Sequence, residues 1–312
     1  MNIVFFGSSD FSLAFLKSIL SSQYNVEAVV TQPDRPKGRG LKLSQTPVKE
    51  FSLKNGLSVF QPESINTQEA VGFLKKLNPD LFVVVAYGEI LPKRVLDIPK
   101  IFSINVHASL LPKYRGAAPI NWAIINGETS TGITIIKMDA GLDTGAMILQ
   151  KSINIDENDD AFILEEKLSK LAGPLLPESL ERIKNKNYSL RPQDESKSSL
   201  APKLKKEDGR IEWNKSAVEI RNLIRGCIIW PTAYTYYQNK QLKIFKAKVL
   251  PSVIKYSTPG EVVEISKVGI SVATGKDNLL IEELQIEGKR KMQVSEFISG
   301  HKILKGEIIG KK

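Results

Sequence analysis

Cysteine and long apolar runs are scarce in this chain, and each scarcity excludes a class of protein. Among 312 residues there is one cysteine, Cys227, which excludes an internal disulfide and leaves too few thiols for a structural zinc site. No apolar run reaches the ~18 residues that a bilayer-spanning helix needs. The N-terminus also lacks a basic segment ahead of an apolar stretch. We therefore expect a cytoplasmic protein with no membrane partner and no metal.

A dinucleotide-binding fingerprint is absent as well. Gly7 follows an apolar run and precedes a turn, as the first glycine of such a fingerprint would. The residues two and five positions later are Ser9 and Ser12, so the pattern Gly-x-Gly-x-x-Gly does not form. The sequence therefore gives no support for NAD binding.

Short apolar runs alternate with helical patterns in the first part of the chain. The runs are typical of strands buried on both faces, and a helical pattern covers residues 67–77. The apolar runs cover residues 3–6, 26–30, 81–86 and 101–104. This alternation predicts an α/β domain with a Rossmann-like, doubly wound, mostly parallel sheet. Ligands of such sheets bind beyond the carboxyl ends of the strands.

The composition changes after residue 188, where Ser, Lys, Pro, Asp and Glu replace apolar residues. We predict a linker over residues 189–206, between a catalytic domain at 1–188 and a second domain at 207–312. A helical pattern covers residues 216–227, and several short β-type runs follow it. Short strands separated by turn signals predict an OB-like β-barrel for the second domain.

The net charge of +10 is unevenly distributed along the chain. Residues 1–188 contain 21 Lys and Arg against 20 Asp and Glu, whereas residues 189–312 contain 23 against 14. A lysine-rich solvated surface would explain part of this excess. An asymmetry of this size favours a polyanionic partner for the second domain, and nucleic acid is the simplest candidate.

Two polar side chains at the end of an apolar run form the core of the candidate active site. Asn105 and His107 are two residues apart, so in a strand they point to the same side of the sheet. Their N–H groups suit the stabilisation of an oxyanion at a carbonyl carbon. Asp143, between Gly141 and Gly145, is the candidate carboxylate that orients His107. A purely structural role for this histidine is the alternative.

Three motifs around these residues resemble the folate-dependent formyltransferases. They are Asn-x-His at 105–107, Ser-Leu-Leu-Pro-x-Tyr-Arg-Gly-Ala-Ala-Pro at 109–119, and Gly-Leu-Asp-Thr-Gly at 141–145. The resemblance begins at Gly7-Ser8-Ser9-Asp10-Phe11 and extends to Gly209-Arg210-Ile211-Glu212-Trp213. Nearly from end to end, the chain is similar to the branch of this family that formylates methionyl-tRNA.

The resemblance implies transfer of a formyl group from 10-formyltetrahydrofolate, a co-substrate, to the α-amine of methionyl initiator tRNA. It implies that Asn105, His107 and Asp143 are catalytic, without settling whether Asp143 or His107 carries the transferred proton. A monomer without metal is expected. Backbone groups of three segments are expected to hold the folate. The folate-binding residues implied are Ala86, Tyr87, Gly88, Ile90, Leu91, Ser109, Leu110, Leu111, Pro112 and Asp139.

Residues 33–47 are rich in proline, glycine and cations, a composition that opposes regular structure. The segment follows an apolar strand and resembles the inserted loop with which this family engages tRNA. The residues expected to bind tRNA are Arg35, Lys37, Arg39 and Lys42. Arg39, between two glycines, would be the most exposed of them. A merely solvated loop is the alternative.

Two other functions are compatible with part of the sequence. Another folate-dependent formyltransferase or a deformylase, acting on a nucleotide or a nucleotide sugar, would share the N-terminal motifs. It would lack the combination of the 33–47 loop and the basic second domain. A non-enzymatic RNA-binding protein on the same scaffold would be expected to have lost one of Asn105, His107 or Asp143, and all three are present.

Overall fold

The computed structural model describes residues 1–37, 42–251 and 257–310. The strands in this part of the chain are β1 (Asn2–Gly7), β2 (Asn25–Val30), β3 (Arg35–Lys37), β4 (Lys42–Ser44), β5 (Val59–Phe60), β6 (Leu81–Val85), β7 (Phe102–His107), β8 (Ser130–Lys137), β9 (Met147–Asn154), β10 (Tyr234–Tyr237), β11 (Lys240–Leu250), β12 (Val262–Ile265), β13 (Ile270–Ala273), β14 (Asn278–Ile286) and β15 (Met292–Gln293). The helices are α1 (Asp10–Leu20), α2 (Pro47–Lys54), α3 (Gln68–Lys76), α4 (Lys93–Leu96), α5 (Pro119–Ile125), α6 (Ala161–Lys170), α7 (Ala172–Lys184), α8 (Ala217–Gly226) and α9 (Val294–Gly300). None of these helices is both long and apolar enough to cross a bilayer.

A seven-stranded sheet organises the N-terminal part of the chain. Its strand order is β5-β2-β1-β6-β7-β8-β9, and the first five strands are parallel. Strands β8 and β9 complete the sheet in antiparallel pairing. The strand at its centre, β6, is buried at every position, as its unbroken apolar sequence predicts. The expected α/β fold with a doubly wound, mostly parallel sheet is confirmed.

The chain reverses its direction of travel across the sheet between β1 and β6. Strands β2 and β5 extend the sheet to one side of β1, and β6 and β7 extend it to the other. Ser8 lies at this switch point. Its hydroxyl donates to the backbone carbonyl of Tyr87 at 3.0 Å and accepts from the backbone N–H of Gln32 at 3.1 Å. One side chain thus ties together the carboxyl ends of three strands, the edge where ligands of such sheets bind.

The turn from β1 into α1 follows from its sequence. Ser9 is the N-cap of α1 and forms a reciprocal pair of hydrogen bonds with Ser12, which satisfies backbone groups at the helix start. Gly7 cannot be replaced without displacement, because a Cβ there would lie 2.7 Å from atoms of Phe5 and Ser12. The helix therefore starts close against the strand, beside the switch point.

A second sheet, wholly antiparallel, forms the C-terminal part of the chain. Its order is β10-β11-β14-β13-β12, and β15 pairs with β14. Helix α8 runs between the residues predicted as its ends, with Ser216 as N-cap and Cys227 as C-cap. Buried apolar residues of the sheet pack around Trp213, Ile220 and Phe297. The expected OB-like β-domain is confirmed.

The contacts divide the chain into two compact units. The first comprises Met1–Ala117, Ser130–Asn154 and Glu165–Ala201, and the second comprises Ala118–Thr129, Ile155–Leu164 and Pro202–Lys312. Two segments of the predicted domain 1–188 therefore pack with the second unit. The reason is tertiary: α5 lies against α8, where the Asn121 side chain donates to the Gly226 carbonyl at 2.8 Å. The Arg225 guanidinium likewise donates to the carbonyls of Asp159 and Asp156.

The segment 33–47 contains more regular structure than its composition predicts. Strands β3 and β4 form an antiparallel ladder that pairs Arg35 with Ser44 and Lys37 with Lys42. Pro36 is tolerated because a two-stranded ladder has an edge on each side. The expectation of a wholly irregular loop is wrong for these six residues. Arg39 lies outside the described residues.

Candidate active site

Strand β7 presents Asn105 and His107 to the same side of the sheet. The strand is longer than predicted and ends at His107, so both side chains lie within regular structure. Pairing with β6 on one side and β8 on the other fixes its position, with Asn105 opposite Ile136 and His107 opposite Thr134. Because strand side chains alternate, the amide and the imidazole lie on one face. His107 is 5% exposed, so its ring is surrounded by protein atoms and has little contact with solvent.

Asp143 meets both of these side chains. The Asn105 Nδ2 group donates to Asp143 Oδ1 at 3.0 Å, and the Gly116 amide donates to Asp143 Oδ2 at 2.9 Å. His107 Nδ1 lies 3.5 Å from Oδ2. The structure therefore brings the three predicted catalytic residues together. Asp143 has a φ of 54°, in the left-handed region, where Asp is among the better-tolerated side chains.

The hydrogen-bond partners of His107 define its tautomer. Its Nε2 lies 2.8 Å from the carbonyl oxygen of Tyr114, and a carbonyl can only accept. Nε2 therefore carries a hydrogen, and Nδ1 is the nitrogen that faces Asp143. We expected Asp143 to orient the His107 ring, and the Tyr114 carbonyl, at 2.8 Å, is the closer of its two partners.

Two glycines beside the site, Gly116 and Gly145, allow their loops to lie against the backbone of neighbouring segments. Gly116 has a φ of 123°, and a Cβ on it would lie 2.7 Å from the Ala201 carbonyl oxygen. At Gly145 a Cβ would overlap the Lys137 carbonyl oxygen. The glycine that follows the Asp143 turn is thus required by packing, which explains why the carboxylate lies in a Gly-flanked motif.

The segment after β6, predicted to hold folate, turns its side chains in different directions. Ala86 and Gly88 have positive φ values of 44° and 95°, so the backbone makes a tight turn at the switch point. The Tyr87 side chain points into the core, where its ring packs edge-on against Phe6 and burial raises the pKa of its hydroxyl. Leu91 is also buried, whereas Ile90 is 74% exposed.

The other residues predicted to bind folate lie on two loops. Ser109 is buried and donates to the Lys113 carbonyl at 2.6 Å, while its own carbonyl accepts from Thr134 Oγ1. Leu111 is buried, Leu110 and Pro112 are half-buried, and the Leu111-Pro112 peptide bond is cis. Asp139 is exposed and accepts from the Gly141 amide and the Thr144 hydroxyl, which closes the turn before Asp143.

The base of the 33–47 segment is fixed by polar contacts. Asp34 accepts from Lys49 Nζ at 2.7 Å and from Gln61 Nε2 at 2.9 Å. The Thr31 and Thr46 hydroxyls share a hydrogen bond of 2.7 Å across the two ends of the segment. Of the four residues expected to bind tRNA, Arg35 is exposed. Lys37 and Lys42 pair through their backbones in the ladder.

Sequence reasoning missed a group of residues that contact the site from residues 191–201. Gln193, Glu195 and Ser199 all bond to the loops that hold Asp143 and His107. Their segment has the polar composition of a linker, and no local pattern marks it as part of a site. Arg115 lies in the motif at 109–119, but its burial is visible only in the structure: it is 5% exposed, and a buried guanidinium requires partners, which Gln193 and Glu195 supply.

Within the described ranges, no group of three or more His, Cys, Asp or Glu residues is arranged to hold a metal ion.

Two family models match the chain. The model described as formyl transferase matches residues 1–180, and the one described as formyl transferase, C-terminal domain, matches residues 203–302. The methionyl-tRNA formyltransferase of Caldanaerobacter subterraneus subsp. tengcongensis is 49% identical over 310 residues, 99% of this chain and 100% of that protein. The methionyl-tRNA formyltransferase of Acetivibrio thermocellus is 46% identical with the same coverage.

Solved structures share the fold at lower identity. A sugar 3N-formyl transferase, crystallised in the presence of dTDP and 5-N-formyl-THF, has a TM-score of 0.69 and 22% identity, covering 93% of this chain and 99% of that one. The methionyl-tRNA formyltransferase from Clostridium thermocellum has a TM-score of 0.55 and 19% identity, covering 80% and 94%. At these identities the structures support the fold alone.

Proposed function

The chain belongs to the formyl transferase family, and we propose that it transfers a formyl group from 10-formyltetrahydrofolate to the α-amino group of methionyl initiator tRNA. One observation carries this proposal. Relatives named methionyl-tRNA formyltransferase match 99% of the chain at 46% and 49% identity, and so include the C-terminal domain as well as the catalytic one. The sugar formyltransferase with the same fold is only 22% identical.

Asn105 and His107 are the proposed oxyanion-stabilising groups. When the amine attacks the formyl carbon, negative charge grows on the formyl oxygen and must meet prepositioned donors. The Asn105 Nδ2 group has two hydrogens and gives one to Asp143, so the second can serve the formyl oxygen. His107 can donate through Nδ1 only as an imidazolium, because the Nε2 hydrogen is directed to Tyr114.

Asp143 and His107 are the groups proposed to move the proton. The attacking amine must lose a proton, and the departing folate nitrogen must gain one. The Asp143 carboxylate has about four acceptor positions and gives two of them to N–H donors. It therefore keeps acceptor capacity for the amine proton, with the His107 ring 3.5 Å away to share in the transfer.

The folate is proposed to bind at the carboxyl ends of β6 and β7. The turn of residues 86–91 leaves Ala86, Gly88 and Ile90 exposed at the switch point. The turn that Asp139 closes exposes Leu142. Apolar side chains beside backbone donors and acceptors suit a flat bicyclic ring with polar edges. We propose that residues 109–112 complete this site.

The tRNA is proposed to bind through the segment 33–47 and the basic residues beyond 188. The excess of cations over acids after residue 188 supplies the attraction for phosphate. Arg35, Lys37, Arg39 and Lys42 would contact the acceptor end, since their segment leaves β2 at the same sheet edge as the site. Because these substrates belong to protein synthesis, we propose that the reaction takes place in the cytoplasm. We also propose that the protein acts as a monomer.

A direct formylation assay tests the proposal. The protein is incubated with labelled 10-formyltetrahydrofolate and one acceptor in each of three reactions. The three acceptors are initiator methionyl-tRNA, elongator methionyl-tRNA and a dTDP-linked amino sugar. We expect label on the initiator methionyl-tRNA, and little on the other two acceptors. Label on the amino sugar with none on methionyl-tRNA would replace the proposal with its rival.

A further inference from the structure

Residues 191–201, which we name the strap, belong to the first unit and are hydrogen-bonded to the rest of that unit at both ends. At one end, the backbone of Arg191 exchanges two hydrogen bonds with Met147, at 2.8 and 3.0 Å. At the other, the Arg115 amide donates to the Ser199 carbonyl at 2.8 Å, and the Ala201 amide donates to the Arg115 carbonyl at 2.7 Å. The segment predicted as a linker is therefore held in place beside the candidate site over much of its length.

The side chain of Gln193 connects the strap to the turn that carries Asp143. Its Nε2 donates to the carbonyl of Asp143 at 2.7 Å and to that of Gly145 at 2.8 Å. Its Oε1 accepts from Arg115 Nε at 3.0 Å and from Arg115 Nη2 at 2.7 Å. The amide thus uses both donor hydrogens and both acceptor positions, which is its full hydrogen-bonding capacity.

Arg115 fixes the orientation of that amide. A guanidinium has no acceptor, so only the oxygen of Gln193 can face it, and the NH2 group must face the two carbonyls. Glu195 holds Arg115 in turn through two hydrogen bonds of 2.7 and 2.8 Å, which raise the pKa of Arg115. Arg115 is 5% exposed, so this arrangement leaves the guanidinium little freedom.

The strap also reaches the His107 side of the site. The Ser199 hydroxyl accepts from the Tyr114 amide at 2.9 Å, and the Tyr114 carbonyl is the partner of His107 Nε2. Asp143 itself is held at two places: its carboxylate accepts from Asn105 and Gly116, and its backbone carbonyl accepts from Gln193. Its left-handed backbone needs such support, because a residue at positive φ relaxes unless its neighbours hold it.

We propose that Gln193 is a positioning residue for formyl transfer: it holds the Asp143 turn in its reactive geometry, and Arg115 holds Gln193. The inference rests on the proposed function, since it concerns the carboxylate assigned to proton transfer. We assign Gln193 to this positioning role alone and not to the binding of either substrate. Its loss should affect the chemical step through the placement of Asp143, and placement errors of this kind reduce turnover strongly.

Two variants test the role of Gln193. Gln193→Ala removes all four hydrogen bonds. Gln193→Glu keeps the size and the acceptor for Arg115, but it puts oxygen where the NH2 group faces two carbonyls. For both, we expect kcat to fall ~10–100-fold while the KM values for folate and tRNA stay within about threefold. Gln23→Ala, at an exposed glutamine of the same unit, is the matched control and should leave kcat unchanged.

Nitrogen NMR of isotope-labelled histidine gives a readout independent of turnover. The chain has two histidines, so a His301→Gln background leaves only the His107 ring. We expect the Gln193 variants to shift the Nδ1 resonance, which faces Asp143, more than the Nε2 resonance, which is bonded to Tyr114. Melting temperature and 5-formyltetrahydrofolate binding, measured on the same samples, report on folding.

The outcomes separate the two proposals. Unchanged kcat in both variants, beside an active wild type, overturns the role of Gln193 and leaves the function standing. A parallel loss of turnover, folate binding and melting temperature shows that the strap is merely structural, which also overturns it. If wild type formylates a different amine, the proposed function fails, and the same variants measured with that acceptor still test Gln193.

Discussion

At the scale of single residues, the candidate chemistry depends on Asn105, His107 and Asp143. Asp143 and His107 are each held by a contact outside the trio, and Asn105 is held by Asp143. Gly116 donates to the Asp143 carboxylate, and the Tyr114 carbonyl holds the His107 ring. The reactive geometry is therefore a property of the surrounding backbone as much as of three side chains, and conservative substitutions are the informative ones.

Asp143→Asn should reduce kcat by at least ~100-fold, the range for loss of a general acid–base group. The substitution keeps the size of the side chain, but it removes the charge and replaces one acceptor oxygen with an NH2 group that faces an N–H donor or His107. Steady-state formylation measures the loss, and tRNA binding should change little. Asp97→Asn, at an exposed carboxylate that pairs with Lys93, is the control. Near-normal turnover would remove Asp143 from the mechanism.

Cys227 should be chemically inert in the folded protein. It is fully buried, and burial raises the pKa of its thiol from about 9 to about 12. Iodoacetamide at neutral pH should label it only after unfolding, so labelling follows global opening. Because the unfolded thiol ionises first, its contribution to stability is complete below about pH 9 and is lost progressively towards pH 12. Rapid labelling of native protein would contradict the placement.

At the scale of elements, the ladder of β3 and β4 rises from a fixed base. The bonds from Gln61 and Lys49 lower the pKa of Asp34, so this carboxylate stays ionised and paired at neutral pH. Its support is present above the ordinary pKa of an aspartate and is lost only as the pH falls below it. The base of the ladder is therefore held by a charged contact at neutral pH.

Arg39→Ala should lower kcat/KM for initiator methionyl-tRNA by ~10–100-fold, about the value of one charged contact to a base or phosphate. Folate binding should be unchanged, because the proposed contact is to the acceptor. Lys at this position should restore only part of the loss, since an ammonium lacks the bidentate fork of the guanidinium. Formylation at wild-type efficiency would mean that the segment is only solvated.

Asp34→Ala tests the polar contacts at the base of the 33–47 segment separately from the proposed contact between Arg39 and the tRNA. We expect a smaller fall in kcat/KM for the tRNA, roughly threefold to tenfold, because the ladder loses its fixed base but keeps its cations. When Asp34→Ala is combined with Arg39→Ala, the two decreases in kcat/KM should not add. In a segment that Asp34→Ala has already displaced, removal of Arg39 should have a smaller effect. Full additivity in this double-mutant cycle would show that the anchor and the tRNA contact are independent.

At the scale of the whole molecule, the charge distribution should govern tRNA affinity. Residues after 188 carry 23 Lys and Arg against 14 Asp and Glu. With about five phosphate contacts, affinity should fall roughly 100-fold to 500-fold between about 50 and 200 mM salt, through counterion release. Folate affinity, measured on the same samples, should change little. A salt-independent tRNA affinity would show that the cations after residue 188 do not contact the tRNA phosphates.

Local patterns in the sequence determined most of the architecture. Strands β1, β2, β6 and β7 follow from apolar runs, and α8 lies within the helical range predicted at 216–227. These features depend on neighbours within a few residues, which a sequence displays directly. The same is true of the position of Asn105 and His107 on one face of β7, because side chains alternate along a strand whatever its tertiary surroundings.

Only the tertiary structure decided which distant segments meet. Helix α5 packs against α8, the Tyr87 ring turns into the core, and the strap lies against Asp143 through Gln193. The strap is held by hydrogen bonds between residues 44 and more positions apart, and polar residues leave no periodic pattern of the kind that burial imposes. For that reason its composition predicted a linker, whereas its hydrogen bonds place it beside the candidate site.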